Sequence, residues 1–106
     1  MYHMTNEIKI FNSEKEAGNL EGTLIKAVRI NAGNDTMKNL FYFFKGKSIT
    51  IQKLKNLAKA EAKNLNANYG VISGEYKSYK NLAEYFEDVP NRDEFQSIKV
   101  NFYKNK

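Results

Sequence analysis

Four segments of the chain are typical of β-strands, through alternation of apolar and polar residues or through their β-branched and aromatic content. The last of them is the most regular, because Ile98, Val100 and Phe102 alternate with Lys99, Asn101 and Tyr103. A strand with this alternation is half-buried, with one face on a core and the other on solvent. The predicted strands are 7–11, 23–31, 69–76 and 97–103.

The aromatic segment 37–45 fits two structures. The favoured interpretation is a strand that forms a hairpin with 23–31, because the residues between them are turn-forming. Both faces of such a strand would be apolar, which predicts a covered, central strand with its large side chains in the core: Leu40, Phe41, Tyr42, Phe43 and Phe44. The alternative is a short helix, capped by Asp35 or Thr36, that ends at Gly46.

Two helices follow from apolar residues at helical spacing. The longer is predicted near 51–65, with Thr50 as its N-cap and Ile49 packing back onto the first turn. The shorter is predicted near 79–88, with Ser78 as its N-cap. Pro90 closes it, because the residue before a proline is biased away from helix.

These elements predict an α+β fold: one small domain, with a mainly antiparallel sheet of about four or five strands packed against two helices. The length of 106 residues suits one core, and no linker or internal repeat divides residues 1–106. Residues 1–3 have the form of a vector-derived remnant before a native start at Met4, which would make His3, the only histidine, foreign to the protein.

Composition argues against most catalytic chemistry. The chain has no cysteine, which excludes disulfides, thiolate nucleophiles and Cys-based zinc sites, and without His3 it would have no histidine for a His-based triad. The sequence Lys45-Gly46-Lys47-Ser48 lacks the first glycine of a P-loop, because Phe41 stands at that position. We therefore expect a protein that is not an enzyme, with no catalytic residue, metal or cofactor.

No segment is apolar over the length of a membrane helix and no signal peptide opens the chain, so we expect a cytoplasmic protein without a membrane partner.

Positive charge is concentrated in the middle of the chain. The net charge is +5, but residues 36–80 carry nine basic and two acidic side chains, and both flanking segments are slightly acidic. Lys55, Lys59 and Lys63 recur every four residues and would form one ridge on the longer helix. The predicted nucleic-acid-binding residues are Lys38, Lys45, Lys47, Lys53, Lys55, Lys59 and Lys63.

Tyrosines supply a second class of candidate contact. Tyrosine suits an interface because its ring is apolar and its hydroxyl is polar. The predicted partner contacts are Tyr69, Tyr76 and Tyr79.

Two functions are compatible with these features. The first is a non-enzymatic binding module whose basic segment 36–80 engages nucleic acid, or a nucleoprotein, through phosphates. Only two arginines occur, so such binding would follow the backbone rather than read bases. The alternative is an inhibitor or accessory factor of the phage or mobile-element type, for example an anti-defence protein, that docks on one protein target.

Overall fold

The computed structural model describes residues 8–31, 36–87 and 96–105, which form a mixed four-stranded sheet and four helices. The predicted remnant with His3, the turn at 32–35 and the helix end at Pro90 lie outside these residues. The strands are β1 (Lys9–Phe11), β2 (Thr23–Asn31), β3 (Tyr69–Lys77) and β4 (Ser97–Lys104), and the helices are α1 (Glu14–Ala17), α2 (Thr36–Lys45), α3 (Lys47–Leu65) and α4 (Leu82–Glu87). The predicted α+β class is confirmed.

The sheet has the strand order β1-β3-β4-β2. Strand β4 lies between β3 and β2 and is antiparallel to both, whereas β1 runs parallel to β3. The pairs Val28–Val100 and Ile30–Ile98 place branched side chains opposite each other on one face. Such cross-strand pairs are the units that stabilise a sheet and hold its register.

The core lies between that face of the sheet and α3. Leu54, Ala58 and Ala62 follow one another at four-residue intervals and are fully buried. Small residues at this spacing let a helix approach the strands closely, and they pack with Val100 and Phe102 in one cluster. Helix α3 therefore covers this face of the sheet and supplies the other side of the core.

The other face of the sheet carries a row of aromatic rings. Phe11 packs edge-on against Tyr69 with ring centroids 6.0 Å apart, and Tyr69 stacks on Tyr103 at 5.2 Å. The turn after α1 covers part of this row, because Leu20 and Gly22 line a shallow pocket with the two tyrosines. The second face is thus partly closed without a long helix.

The hairpin interpretation of segment 37–45 is wrong, and the helical alternative is correct. Because both faces of the segment are apolar, a strand there would need a cover on each side. As a helix, it instead presents Met37, Phe41 and Phe44 on one side and packs with α3 on another. Gly46 separates the two helices with φ of 102°, a conformation that favours glycine.

The helix starts also differ from prediction. Helix α3 begins at Lys47, four residues before the predicted start, and Thr50 lies inside its first turn, where its hydroxyl donates to the Gly46 carbonyl at 3.0 Å. Helix α4 begins at Leu82, and Asn81 rather than Ser78 accepts from the free backbone N–H of Glu84 at 2.8 Å.

Helix α1 was not predicted, although its signal is present. Ser13 caps it by accepting from the backbone N–H of Glu16 at 3.1 Å. Serine followed three residues later by glutamate is a recognised helix-start pattern.

No helix in the described ranges combines the length and the apolar character needed to cross a bilayer.

We predict that Gly70→Ala destabilises the protein by about 1–3 kcal/mol, the usual cost of overpacking a core. A Cβ atom at Gly70 would lie 2.8 Å from Val100 Cγ1 and 3.0 Å from Ile10 Cδ1. Urea denaturation measures the change. Ser73→Ala, on the same strand, is the control and should shift stability by less than about 0.5 kcal/mol. Equal stability of the two variants would contradict the close approach at Gly70.

Candidate functional site

Three of the predicted lysines form one row along α3. Lys55, Lys59 and Lys63 each follow directly after a residue of the buried stripe, so they lie beside the line of contact with the sheet. Successive members are four residues apart, which places them about 6 Å apart along the axis and on the same side. Lys55 and Lys59 are half-buried and Lys63 is exposed. We call these three residues the lysine row.

Two members of the row, Lys55 and Lys59, line a groove between α3 and the edge of the sheet. The groove has a volume of about 450 Å³, and Lys55, Lys59 and Gln52 line it from the helix. Ile8, Lys9 and Ile10 line it from strand β1, with Glu16 at its margin. Lys9 was not predicted as a contact, because its place beside Lys55 and Lys59 depends on the fold and not on the local sequence. Three lysines therefore border a single groove.

A hydrogen-bonded clasp fixes the first lysine of the row. The Lys55 ammonium donates to Asn12 Oδ1 at 3.0 Å, and Asn12 Nδ2 donates to Glu16 Oε2 at 2.9 Å. The backbone N–H of Asn12 also donates to Glu16 Oε1 at 3.3 Å. Asn12 thus lies between the cation and the carboxylate.

The same clasp lowers the pKa of Glu16. The hydrogen bond from the Asn12 side chain is the largest cause, followed by that from its backbone N–H, and the charges of Lys55 and Lys9 act in the same direction. Hydrogen bonds to a carboxylate favour its ionised form. Glu16 therefore remains charged and keeps Asn12 oriented towards Lys55.

The other four predicted lysines lie elsewhere. Lys38 and Lys45 are on α2, and Lys45 Nζ lies 5.3 Å from the centre of the Phe41 ring. Lys47, the first residue of α3, lines a different pocket. Lys53 comes two residues before Lys55 and is turned about 160° from it around the helix axis. Of the seven predicted lysines, the structure therefore brings three together in the lysine row.

The three predicted tyrosines differ in exposure. Tyr69 is buried within the aromatic row, and its burial raises the pKa of its hydroxyl. Tyr79 is also buried, with its ring edge-on to Tyr85 at 4.9 Å. Tyr76 is half-buried and lines the pocket that holds Lys47. Of the three, Tyr76 is the one placed to meet a partner without rearrangement, and its contact stays a prediction.

Helix α2 exposes large apolar side chains. Met37, Phe41 and Phe44 are 75, 53 and 70% exposed, and Ile49, in the next helix, is 50% exposed. The core assignment of Phe41 and Phe44 is wrong, because in a helix the positions i, i+4 and i+7 share one side. That spacing was the signal in the sequence that could have revealed them. We call these four residues the α2 ridge.

Comparison with protein-family models, with curated proteins and with solved structures found no match to this chain. Within the described residues, no group of three or more His, Cys, Asp or Glu side chains is arranged to hold a metal ion.

We predict that Asn12→Ala raises the pKa of Glu16 towards its ordinary value, because the variant loses the side-chain hydrogen bond. A lowered pKa in the folded state contributes stability above the unfolded pKa, and this contribution is lost as pH falls through the folded value. Asn12→Ala should therefore lose less stability on acidification than the wild type. Carbon-13 NMR titration of the Glu16 carboxyl measures the pKa directly.

The matched control is Asn64→Ala, because Asn64 donates to another glutamate, Glu61, at 3.4 Å. It should leave the titration of Glu16 unchanged. A Glu16 that titrates at the same pH with and without Asn12 would refute the clasp.

Proposed function

We propose that the protein is a non-enzymatic binding module that holds the phosphate backbone of a nucleic acid along the lysine row. The observation that supports this function is the alignment of Lys55, Lys59 and Lys63 on one side of α3, where Lys55 and Lys59 line a groove together with Lys9. A row of cations at regular spacing matches the regular spacing of phosphates along a strand. Neutralising several phosphates supplies most of the affinity in binding that is independent of sequence.

The clasp prepares the row for such a ligand. Ordering a free lysine side chain on binding costs conformational entropy, and the hydrogen bond from Lys55 to Asn12 meets part of this cost in advance. Lys55 and Lys59 are half-buried as residues, but the hydrogen bond from Lys55 to Asn12 is exposed, so contacts of this ammonium remain open to screening by salt.

The chemistry favours contacts with phosphates over readout of bases. Lysine is a compact point charge, whereas reading guanine requires the planar fork of arginine. Arg29, the arginine in the part of the chain that the structure describes, is not among the residues that line the groove. We therefore expect binding that tolerates many sequences and depends strongly on salt.

We predict that Lys55/Lys59/Lys63→Gln weakens binding to oligonucleotides and flattens its dependence on salt. If each lysine of the row neutralises one phosphate, log K should fall with log salt at a slope of about −2 for a single strand and about −3 for a duplex, and the variant should lose this dependence. Fluorescence anisotropy measures it, with labelled DNA and RNA single strands and a DNA duplex at about 50 and 200 mM NaCl.

The matched control removes the same charge elsewhere. Lys53/Lys77/Lys80→Gln changes one lysine on another side of α3 and two exposed lysines in the segment 77–80. It should keep the wild-type slope. Equal weakening by both triple variants would show an effect of net charge alone, and absence of wild-type binding at the lower salt concentration would refute the function.

A further inference from the structure

The α2 ridge is an apolar surface separate from the lysine row. Met37, Phe41 and Phe44 recur at i, i+4 and i+7 along α2, and Ile49 extends the set of exposed apolar side chains into α3. With each side chain taken as roughly 200 Å², the exposed fractions of the three α2 residues leave about 400 Å² in contact with water. That is as large as the largest apolar patch on a typical monomer, which is often functional.

The junction between the two helices holds α2 in this orientation. The Tyr42 carbonyl accepts from the Gly46 backbone N–H at 3.1 Å and from the Thr50 hydroxyl at 2.9 Å. Thr50 is buried, and so is Asn39, which is only 7% exposed. Helix α2 therefore buries Asn39 and leaves Met37, Phe41 and Phe44 facing solvent. Its other large apolar residues are half-buried: Leu40, Tyr42 and Phe43.

Charge around the ridge indicates what can cover it. Residues 36–60 contain six lysines and no acidic residue, and Lys38, Lys45 and Lys47 are exposed on α2 or at the start of α3. Lys45 lies over the Phe41 ring, so the positive charge directly adjoins the apolar surface. A partner that buries the ridge must meet these lysines with acidic groups, since like charges brought together oppose association.

A second copy of this chain does not fit these requirements. Two antiparallel α2 helices would bring Lys38 of each copy towards Lys45 of the other. The three α2 anchors alone offer about 400 Å², below the roughly 800 Å² that each partner contributes to a stable interface of standard size, so any protein partner must also cover the surrounding lysines. Charge therefore favours a different protein over a second copy.

We propose that the α2 ridge docks as a preformed helix in an apolar groove with an acidic rim on another protein. The convex surface of one helix suits a concave site, and an amphipathic helix recognised in this way presents its anchors at i, i+4 and i+7. Met37, Phe41 and Phe44 are the anchors, and the neighbouring lysines select the acidic rim. This interaction uses residues outside the lysine row, so it does not depend on binding of nucleic acid.

The test is selection of ligands from a display library of randomised helical hairpins, with the full chain as bait and nuclease-treated reagents. Ligands recovered on the wild type should combine apolar residues with an excess of Asp and Glu. Their affinity should fall at least about tenfold for Met37→Ser/Phe44→Ser and for Lys45→Glu/Lys47→Glu, and it should fall with rising salt. Selection on the charge-reversed variant should instead recover basic ligands.

Phe86→Ser is the matched control, because Phe86 is 54% exposed but lies on α4. It should keep full affinity for the selected ligands. Circular dichroism and urea denaturation show whether each variant keeps its fold, and the ridge variants should unfold at the wild-type urea concentration because their side chains are exposed.

Four results would overturn the proposal. Recovered ligands without an excess of Asp and Glu would exclude an acid-rimmed groove. Recovery of no ligand that binds the wild type more tightly than Met37→Ser/Phe44→Ser would exclude it as well. Dimerisation seen by sedimentation equilibrium and abolished by Met37→Ser/Phe44→Ser would assign the ridge to a second copy. Binding to phosphatidylcholine–phosphatidylserine vesicles that is lost in the same variant, with no hairpin ligand recovered, would assign it to a lipid surface.

Discussion

Close packing of α3 on the sheet determines where both candidate surfaces lie. Leu54, Ala58 and Ala62 are fully buried in one cluster with Ile10, Val100 and Phe102 of the strands. This contact fixes the rotation of the helix about its axis. The rotation in turn decides which lysines line the groove: Lys55 and Lys59, which directly follow stripe residues, do so, whereas Lys53 is turned away. The lysine row is a consequence of core packing.

The two surfaces differ in the physical basis of recognition. The lysine row offers charge at regular spacing, so the affinity of the proposed nucleic-acid ligand would depend on ionic strength and little on shape. The α2 ridge offers apolar area on a convex helix, so the affinity of the proposed protein partner would depend on the fit of a concave site and on its acidic groups. Separate residues carry the two properties, which allows one small domain to use either or both.

Periodicity predicted the elements that have one apolar side. Strand β4 and helix α3 were recognised because their apolar residues repeat at the period of one structure only. Segment 37–45 was misassigned because Leu40 to Phe44 are consecutive apolar residues, and such a run does not distinguish a strand covered on both faces from a helix with one exposed apolar side. The bond of Lys55 to Asn12 and the place of Lys9 in the groove could not be predicted, because they join residues 43 or more positions apart whose proximity depends on β1 pairing with β3.

The two sides of the groove are held in place differently: one side is helix α3, and the other is strand β1, which pairs in parallel with β3. Strand β1 has only three residues and joins the sheet through Tyr69, Gly70 and Val71, after nearly sixty intervening residues have closed into a loop. Closing so long a loop costs conformational entropy, which a three-residue strand has few contacts to offset. Ile10, only 2% exposed, ties β1 into the same core as the buried stripe of α3. Any opening of β1 would therefore remove one wall of the groove and uncover part of the core at the same time.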